Sequence, residues 1–294
     1  MSGRWRTVVA LAALLSLAIV LQVWRDRGWQ PYDPPAPLLW MQAGPAIERA
    51  ALGYKSLLAD MYWIRAVVYY GRQHLSSASD KNYDQLFPLL NLVTTLDPRF
   101  TVAYRFGAVF LSEQYPAGPG RPDLAVQLLQ RGLQHDPARW EYPHDIGFVY
   151  FWNYRDYAAA AEWFDKASRV PGAPVWLRAT AATTLAAGGD RESSRQLWRQ
   201  FAETAEVSSL RDTAKLRIAQ LDALDAIDAL NTIVWRYEAR EGHFPQDWKE
   251  LQMARVLRGA PADPAGVPFV LDLENEDVRL SEASPLWPLP TGLQ

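Results

Sequence analysis

The first apolar run, Thr7 to Trp24, holds eighteen residues with no charge and only Gln22 as a strongly polar position. As a helix it rises about 27 Å, close to the roughly 30 Å hydrocarbon core of a bilayer. Further along, apolar residues recur at helical spacing from Leu57 to Gly71 and from Tyr83 to Leu96. They do so again through two central helix pairs, and then along one stretch from Ser208 to Arg240. In that last stretch Leu216 is followed by Leu221, Leu224, Ile227, Leu230, Val234 and Tyr237, which fall every three or four residues, and Gly242 ends it. The pattern then changes. Phe244-Pro245 predicts the opening of a short helix and Asp263-Pro264-Ala265-Gly266 a turn. Val267 to Leu271 and Val278 to Ser281 read as two strands of a hairpin.

Charge at the borders of the first run sets its expected orientation. Arg4 and Arg6 precede it and Arg25, Asp26 and Arg27 follow, with Trp5 and Trp24 at its ends where aromatic rings favour the interface. The bias places the N-terminus in the cytoplasm and the bulk of the chain outside it, periplasmic in a Gram-negative cell. Cleavage after Ser16-Leu17-Ala18 would leave IVLQVW exposed, so a retained anchor is the expectation. Gln30 to Pro37 (QPYDPPAP) forbids helix and reads as an extended spacer. The expected organisation is an anchor over 1–27, a proline-rich linker over 28–43, helical repeats over 44–207, a long capping helix over 208–241 and a small module over 242–294.

Within the repeats, Phe151, Tyr157, Ala160, Phe164 and Ala167 alternate large and small residues at the steps by which one helix admits its antiparallel partner. Phe106, Gly107 and Phe110, then Ala125, Leu129, Gly132 and Pro137, repeat the theme, with Gln114 to Pro122 inserted between them. Asp97-Pro98 and Asp136-Pro137 each close a helix, 39 residues apart. Gly189-Asp190, Ser194, Trp198 and Phe201 follow in weaker register. On these residues the chain resembles a tetratricopeptide repeat protein over residues 55 to 205. The resemblance implies an all-α superhelix of helical hairpins with a groove that binds a peptide or a protein surface. By the family pattern the groove residues are Tyr62, Arg65, Tyr104, Leu111, His144, Phe148, Trp152 and Trp176.

The order Gly242, Pro245, Leu251, Asp263, Pro264, Gly266, Pro268, Phe269 resembles the globular end of type II secretion pseudopilins over about residues 225 to 281. The chain departs from that family because repeats separate the apolar run from this module and no glycine-then-aromatic processing site precedes the run. The implied role is therefore a docking fold or a cap, not a pilin subunit. Asp272, Glu274, Glu276 and Asp277 read as a solvated hairpin loop, since no glycine-bearing twelve-residue calcium loop is present.

Composition removes chemistry more than it adds it. There is no cysteine, which excludes disulfides, thiolate metal sites and cysteine nucleophiles. A net charge of −3 with interspersed signs gives no stripe for nucleic acid. The four histidines, His74, His135, His144 and His243, form no ligand pair, and phosphate-binding, dinucleotide and nucleophile-elbow motifs are missing. Asp222 and Asp225 share a helix and read as a solvated face. No catalytic residue, metal or cofactor is expected. Thirteen tryptophans and thirteen tyrosines suit repeat cores and contact surfaces. The sequence thus points to a membrane-anchored scaffold or assembly factor that binds proteins of an envelope machine, of secretion, type IV pilus or transport type. The alternatives are a membrane-tethered enzyme or cell-wall-binding protein, and a structural subunit whose aromatic surface is permanently buried.

Overall fold

The computed structural model describes residues 13–24, 54–78 and 80–290. The chain divides into two compact units, Met1–Ala50 and Ala51–Gln294. In the first, residues 13–24 are helical. The start of the apolar run, Thr7 to Ala12, and the linker Gln30 to Pro37 lie outside the described residues. Among the described residues no helix is long and apolar enough to cross a membrane.

The second unit is helical up to a small C-terminal antiparallel hairpin. Its elements are α1 (Lys55–Leu75), α2 (Leu86–Leu96), α3 (Thr101–Ser112), α4 (Pro122–His135), α5 (Glu141–Val149) and α6 (Tyr157–Ser168). They continue with α7 (Trp176–Ala187), α8 (Arg191–Thr204), α9 (Ser208–Glu241), α10 (Trp248–Met253), β1 (Val270–Asp272) and β2 (Asp277–Arg279). From α1 to α9 each helix packs on the next one in sequence.

Local chemistry sets the boundaries. Asp156 and Asp190 accept hydrogen bonds from the backbone N–H of Ala159 and Ser193 at 2.9 and 3.0 Å, opening α6 and α8, a cap worth about 1 kcal/mol. Pro122 occupies the first turn of α4, where no N–H is needed. Asp97 and Asp136 leave the helical conformation at the ends of α2 and α4, each ahead of a proline. A single π turn, Tyr150–Tyr154, extends α5 until Arg155 adopts φ +53°. Gly242 stops α9 at φ +82°, a conformation that favours glycine.

Small residues bring the helices together. A Cβ on Gly107 would lie 2.9 Å from side-chain carbons of Leu90 and Leu128, so α3 meets α2 and α4 at that point. Gly132 of α4 faces Tyr142 and Tyr104, and Gly147 of α5 faces the buried ring of Phe164. The odd-numbered helices also touch side by side. Phe110 of α3 stacks on Tyr70 and Trp63 of α1 at 4.3 and 6.1 Å. Arg105 of α3 grips Asp145 of α5 through two hydrogen bonds, and His144 of α5 meets the edge of Trp176 of α7 at 5.6 Å. On the even side Arg131 of α4 donates to Asn91 and Thr95 of α2. Helices α1 to α8 thus form two layers, odd helices in one and even helices in the other.

The inserted loop between α3 and α4 is pinned rather than free. Tyr83 Oη donates to Ala117 O at 2.7 Å, His74 Nδ1 lies 2.8 Å from the same oxygen, and Tyr70 Oη donates to Glu113. Asn153 of the π turn donates to Ser112 O at 2.7 Å.

At the far end the divisions expected at 207 and 241 do not interrupt the core. One cluster joins Trp198 and Phe201 of α8 to Leu221, Leu224, Leu230, Val234 and Tyr237 of α9, and on to Phe244, Leu251, Phe269, Val278, Leu286 and Leu289. Gln220 Nε2 donates to Leu286 O and Pro288 O at 2.9 and 3.0 Å, and Val278 N donates to Asn231 Oδ1 at 2.7 Å. Asp222 and Asp225 are not a plain solvated face: both accept from the buried guanidinium of Arg195, which also binds Glu192 and so clamps α8 to α9. Two boundaries differ from the sequence expectation. Phe244 is drawn into the core, so the short helix starts later, at Trp248, with Asp247 as its cap. The hairpin is shorter than expected, with Leu271 opposite Val278, and Pro268 belongs instead to an isolated bridge with Ala262.

Two alanine substitutions test the seam packing. Gly147→Ala places a methyl 2.7 Å from the Phe164 ring and should lower unfolding stability by about 1–3 kcal/mol. Gly71→Ala meets nothing within 4 Å and should raise it by about 0.5–1 kcal/mol. Urea melts of the two variants check both signs.

Candidate protein-docking face

The two helix layers differ in what they show to water. In α3 every exposed residue is apolar: Val102, Phe106 and Val109. In α5 with its π turn every exposed residue is aromatic: Phe148, Trp152 and Tyr154. α1 exposes Leu57, Met61, Ile64 and Val68 along one stripe, and α7 begins with exposed Trp176. The even layer is the reverse. Every exposed residue of α4 is polar (Asp123, Gln127, Gln130, Gln134, His135), as is every exposed residue of α8, and α2 exposes only Asn91. Among the described residues no large exposed apolar side chain lies on α2, α4, α6 or α8.

The centre of the odd layer is an aromatic cluster. His144 lies edge-to-face with Phe148 at 4.8 Å, Trp140 at 5.6 Å and Trp176 at 5.6 Å, and Phe148 leans on buried Phe164 at 5.6 Å. Edge-to-face contacts put positive ring edges against negative ring faces and hold each ring in one orientation. His144 Nδ1 is 2.9 Å from Asp145 Oδ1, while Arg105 donates to both oxygens of that carboxylate. The hydrogen bond to Asp145 raises the Arg105 pKa and fixes its charge. Arg105 and Asp145 therefore cancel, leaving an apolar surface without net charge at its middle.

Of the residues the sequence singled out, Phe148, Trp152 and Trp176 lie exposed on this layer, Trp152 at 65% of its full accessibility. His144 is half-buried beneath them. Arg65 is half-buried, its guanidinium 5.2 Å from the ring centroid of Tyr62. Tyr62, Tyr104 and Leu111 are buried and do not stand on this exposed face. Tyr104 packs against Tyr142 at 5.5 Å inside the α3–α4–α5 seam, and Leu111 sits under the inserted loop. Sequence reasoning placed Phe106 in a repeat helix but did not give it, Val102 or Val109 to the surface. The available signal was the apolar character of α3 on all sides, which a helix exposed on one face does not ordinarily show.

The C-terminal turn residues act on their own backbone. Asp263 is buried; its Oδ1 accepts from Ala265 N and Val267 N at 2.9 Å each, and Oδ2 accepts from Ser284 Oγ. Gly266 has φ +85°, Pro264 and Pro268 are exposed, and Phe269 is buried in the core. Asp272 accepts from Glu274 N and Asn275 N and pairs with Arg279 at 2.7 Å, so its oxygens are committed to the hairpin turn. The Asn275 side-chain bond is the main influence holding its pKa below the usual carboxylate range.

A polar cleft of about 600 Å³ lies between the α1–α2 connection and the inserted loop, rimmed by Asp80, Lys81, Asp84 and Arg121 over Phe87 and Leu111. Among the described residues no group of three or more His, Asp or Glu side chains is placed to hold a metal ion.

Burial pushes the Tyr104 phenol up to about 12. A raised folded-state pKa keeps its stability contribution intact below the unfolded value of about 10, and loses it as pH rises through the folded value. Melting temperature should therefore fall between pH 10 and 12, and Tyr104→Phe should flatten that fall; thermal melts across the range measure it. No family model, curated protein or solved structure matches this chain.

Proposed function

We propose that this chain is a tetratricopeptide-like scaffold that binds protein partners through its odd-numbered helix layer and is tethered to a membrane by the apolar run Thr7–Trp24. The observation that carries the binding role is the segregation of exposed side chains, apolar on α3 and α5 and polar on α4 and α8. Random surface variation scatters single apolar residues over every element. Among helices α1 to α8 the large ones are confined to the odd-numbered layer. Tethering rests on the sequence: the uncharged length, the flanking tryptophans and the arginines before the run. An extracytoplasmic body and a setting in a secretion, pilus or transport machine extend that reading by analogy with the pseudopilin-like end.

The test is affinity purification of the full-length chain from gently solubilised membranes beside Phe106→Glu/Trp152→Glu. Both positions are exposed, so the double variant should keep its helical content and melt within about 0.5 kcal/mol of the parent. It should lose the proteins the parent recovers, because buried aromatic anchors contribute about 2 kcal/mol or more each at interfaces. A Gln134→Glu control on α4 should recover them all. If the parent and the double variant return the same set, the docking face lies elsewhere.

A further inference from the structure

Resting on that reading, we infer that the occupant of the odd layer is an amphipathic α-helix of a partner protein, seated across α3 and α5, and not an extended peptide. Three observations select it. The first is spacing. Val102, Phe106 and Val109 stand at i, i+4 and i+7, Phe148 and Trp152 at i and i+4, and Leu57, Met61, Ile64 and Val68 at i, i+4, i+7 and i+11. These are the ridges by which one helix packs into the grooves of another, and here they point to water.

The second is hydrogen bonding. An extended segment carries unpaired backbone N–H and C=O groups that its receptor must satisfy once water is removed. Val102, Phe106, Val109, Phe148 and Trp152 offer no acceptor or donor except the Trp152 indole N–H. The charged pair that bridges α3 and α5, Arg105 and Asp145, is engaged with itself. A helix brings its backbone already paired and asks the surface only for apolar contact.

The third is area and charge. The exposed side chains of α3 and of α5 with its π turn, on the order of several hundred Å², supply most of what one side of a standard interface contributes. Side-by-side helices 8–10 Å apart make four odd helices about 30 Å wide, the length of a helix of about twenty residues. With Arg105 and Asp145 neutralising each other, the fitting face of the partner is uncharged, its polar residues turned away.

The experiment places a photoreactive benzophenone side chain at Phe106, Phe148 or Trp152 of the full-length chain in its native cells, with Gln134 as the control position. Adducts are mapped by mass spectrometry. The expected result is adducts within one partner segment at spacings of three, four and seven residues, and none from Gln134. Proline in the middle of that segment should then lower the yield at least about tenfold. Adducts at alternate residues of a partner would overturn the helical occupant and leave the scaffold standing. Adducts on a second copy of this chain would replace the partner with self-association. Adducts only on lipid, or none, would sink the helical occupant together with protein docking at this face.

Discussion

Everything in the repeat region depends on how closely one helix can approach the next. At Gly107, Gly132 and Gly147 the neighbouring side chain occupies the space a methyl group would need. Leu90 and Leu128, Tyr142 and Tyr104, and Phe164 fill those sites, so each seam is close-packed and fixed in register. Register in turn decides which positions face water. The outward ridge of α3 follows from Gly107 facing inward, since 102, 106 and 109 lie on the opposite side of the helix. The apolar face is therefore a by-product of no single residue; it is set by the seam on the other side.

That dependence explains which parts of the fold could be read from sequence. The helix pairs were legible because the seams alternate small and large residues at fixed steps, as Ala160, Phe164 and Ala167 do. All three are buried. The surface positions were less legible because a helix turns about 100° per residue. Tyr104 lies two residues from both Val102 and Phe106, and Leu111 two from Val109, so an offset of two puts a residue on the far side. Tyr62 is one residue from exposed Met61. On α5 and its π turn Phe148 and Trp152 are exposed four residues apart, with half-buried His144 one turn before them. The aspartates at 222 and 225 are exposed, as a solvated face requires, but their partner Arg195 lies 30 residues from Asp225 in sequence, and local pattern carries no trace of it.

The C-terminal end shows how a stack of this kind can be closed. A helix pair whose outer face met only water would leave Trp198 and Phe201 exposed; α9 covers them and is covered in turn by the hairpin and tail. The expected module boundaries at 207 and 241 mark changes in local pattern, from repeat to long helix and from helix to turns. They do not mark changes in packing, because apolar side chains from both sides enter one core. One carboxylate oxygen of Asp263 and one of Asp272 accept backbone N–H groups of their own turns, and the other oxygens bind Ser284 and Arg279. Turn chemistry of that sort serves shape, and it accounts for the pseudopilin-like residue order without any ligand.

The tie between Gln220 and the tail spans 66 and 68 residues, whereas the seams of the repeats join neighbours. During synthesis the repeats can therefore close one by one as they leave the ribosome, while α9 waits for its cover. At about 5–20 residues per second, the roughly seventy residues still to come take on the order of 4–14 s. For that interval the nascent chain offers the apolar side of α9 to whatever is nearby. A chain cut short before Leu286 would keep its helix pairs but leave that side of α9 without its cover.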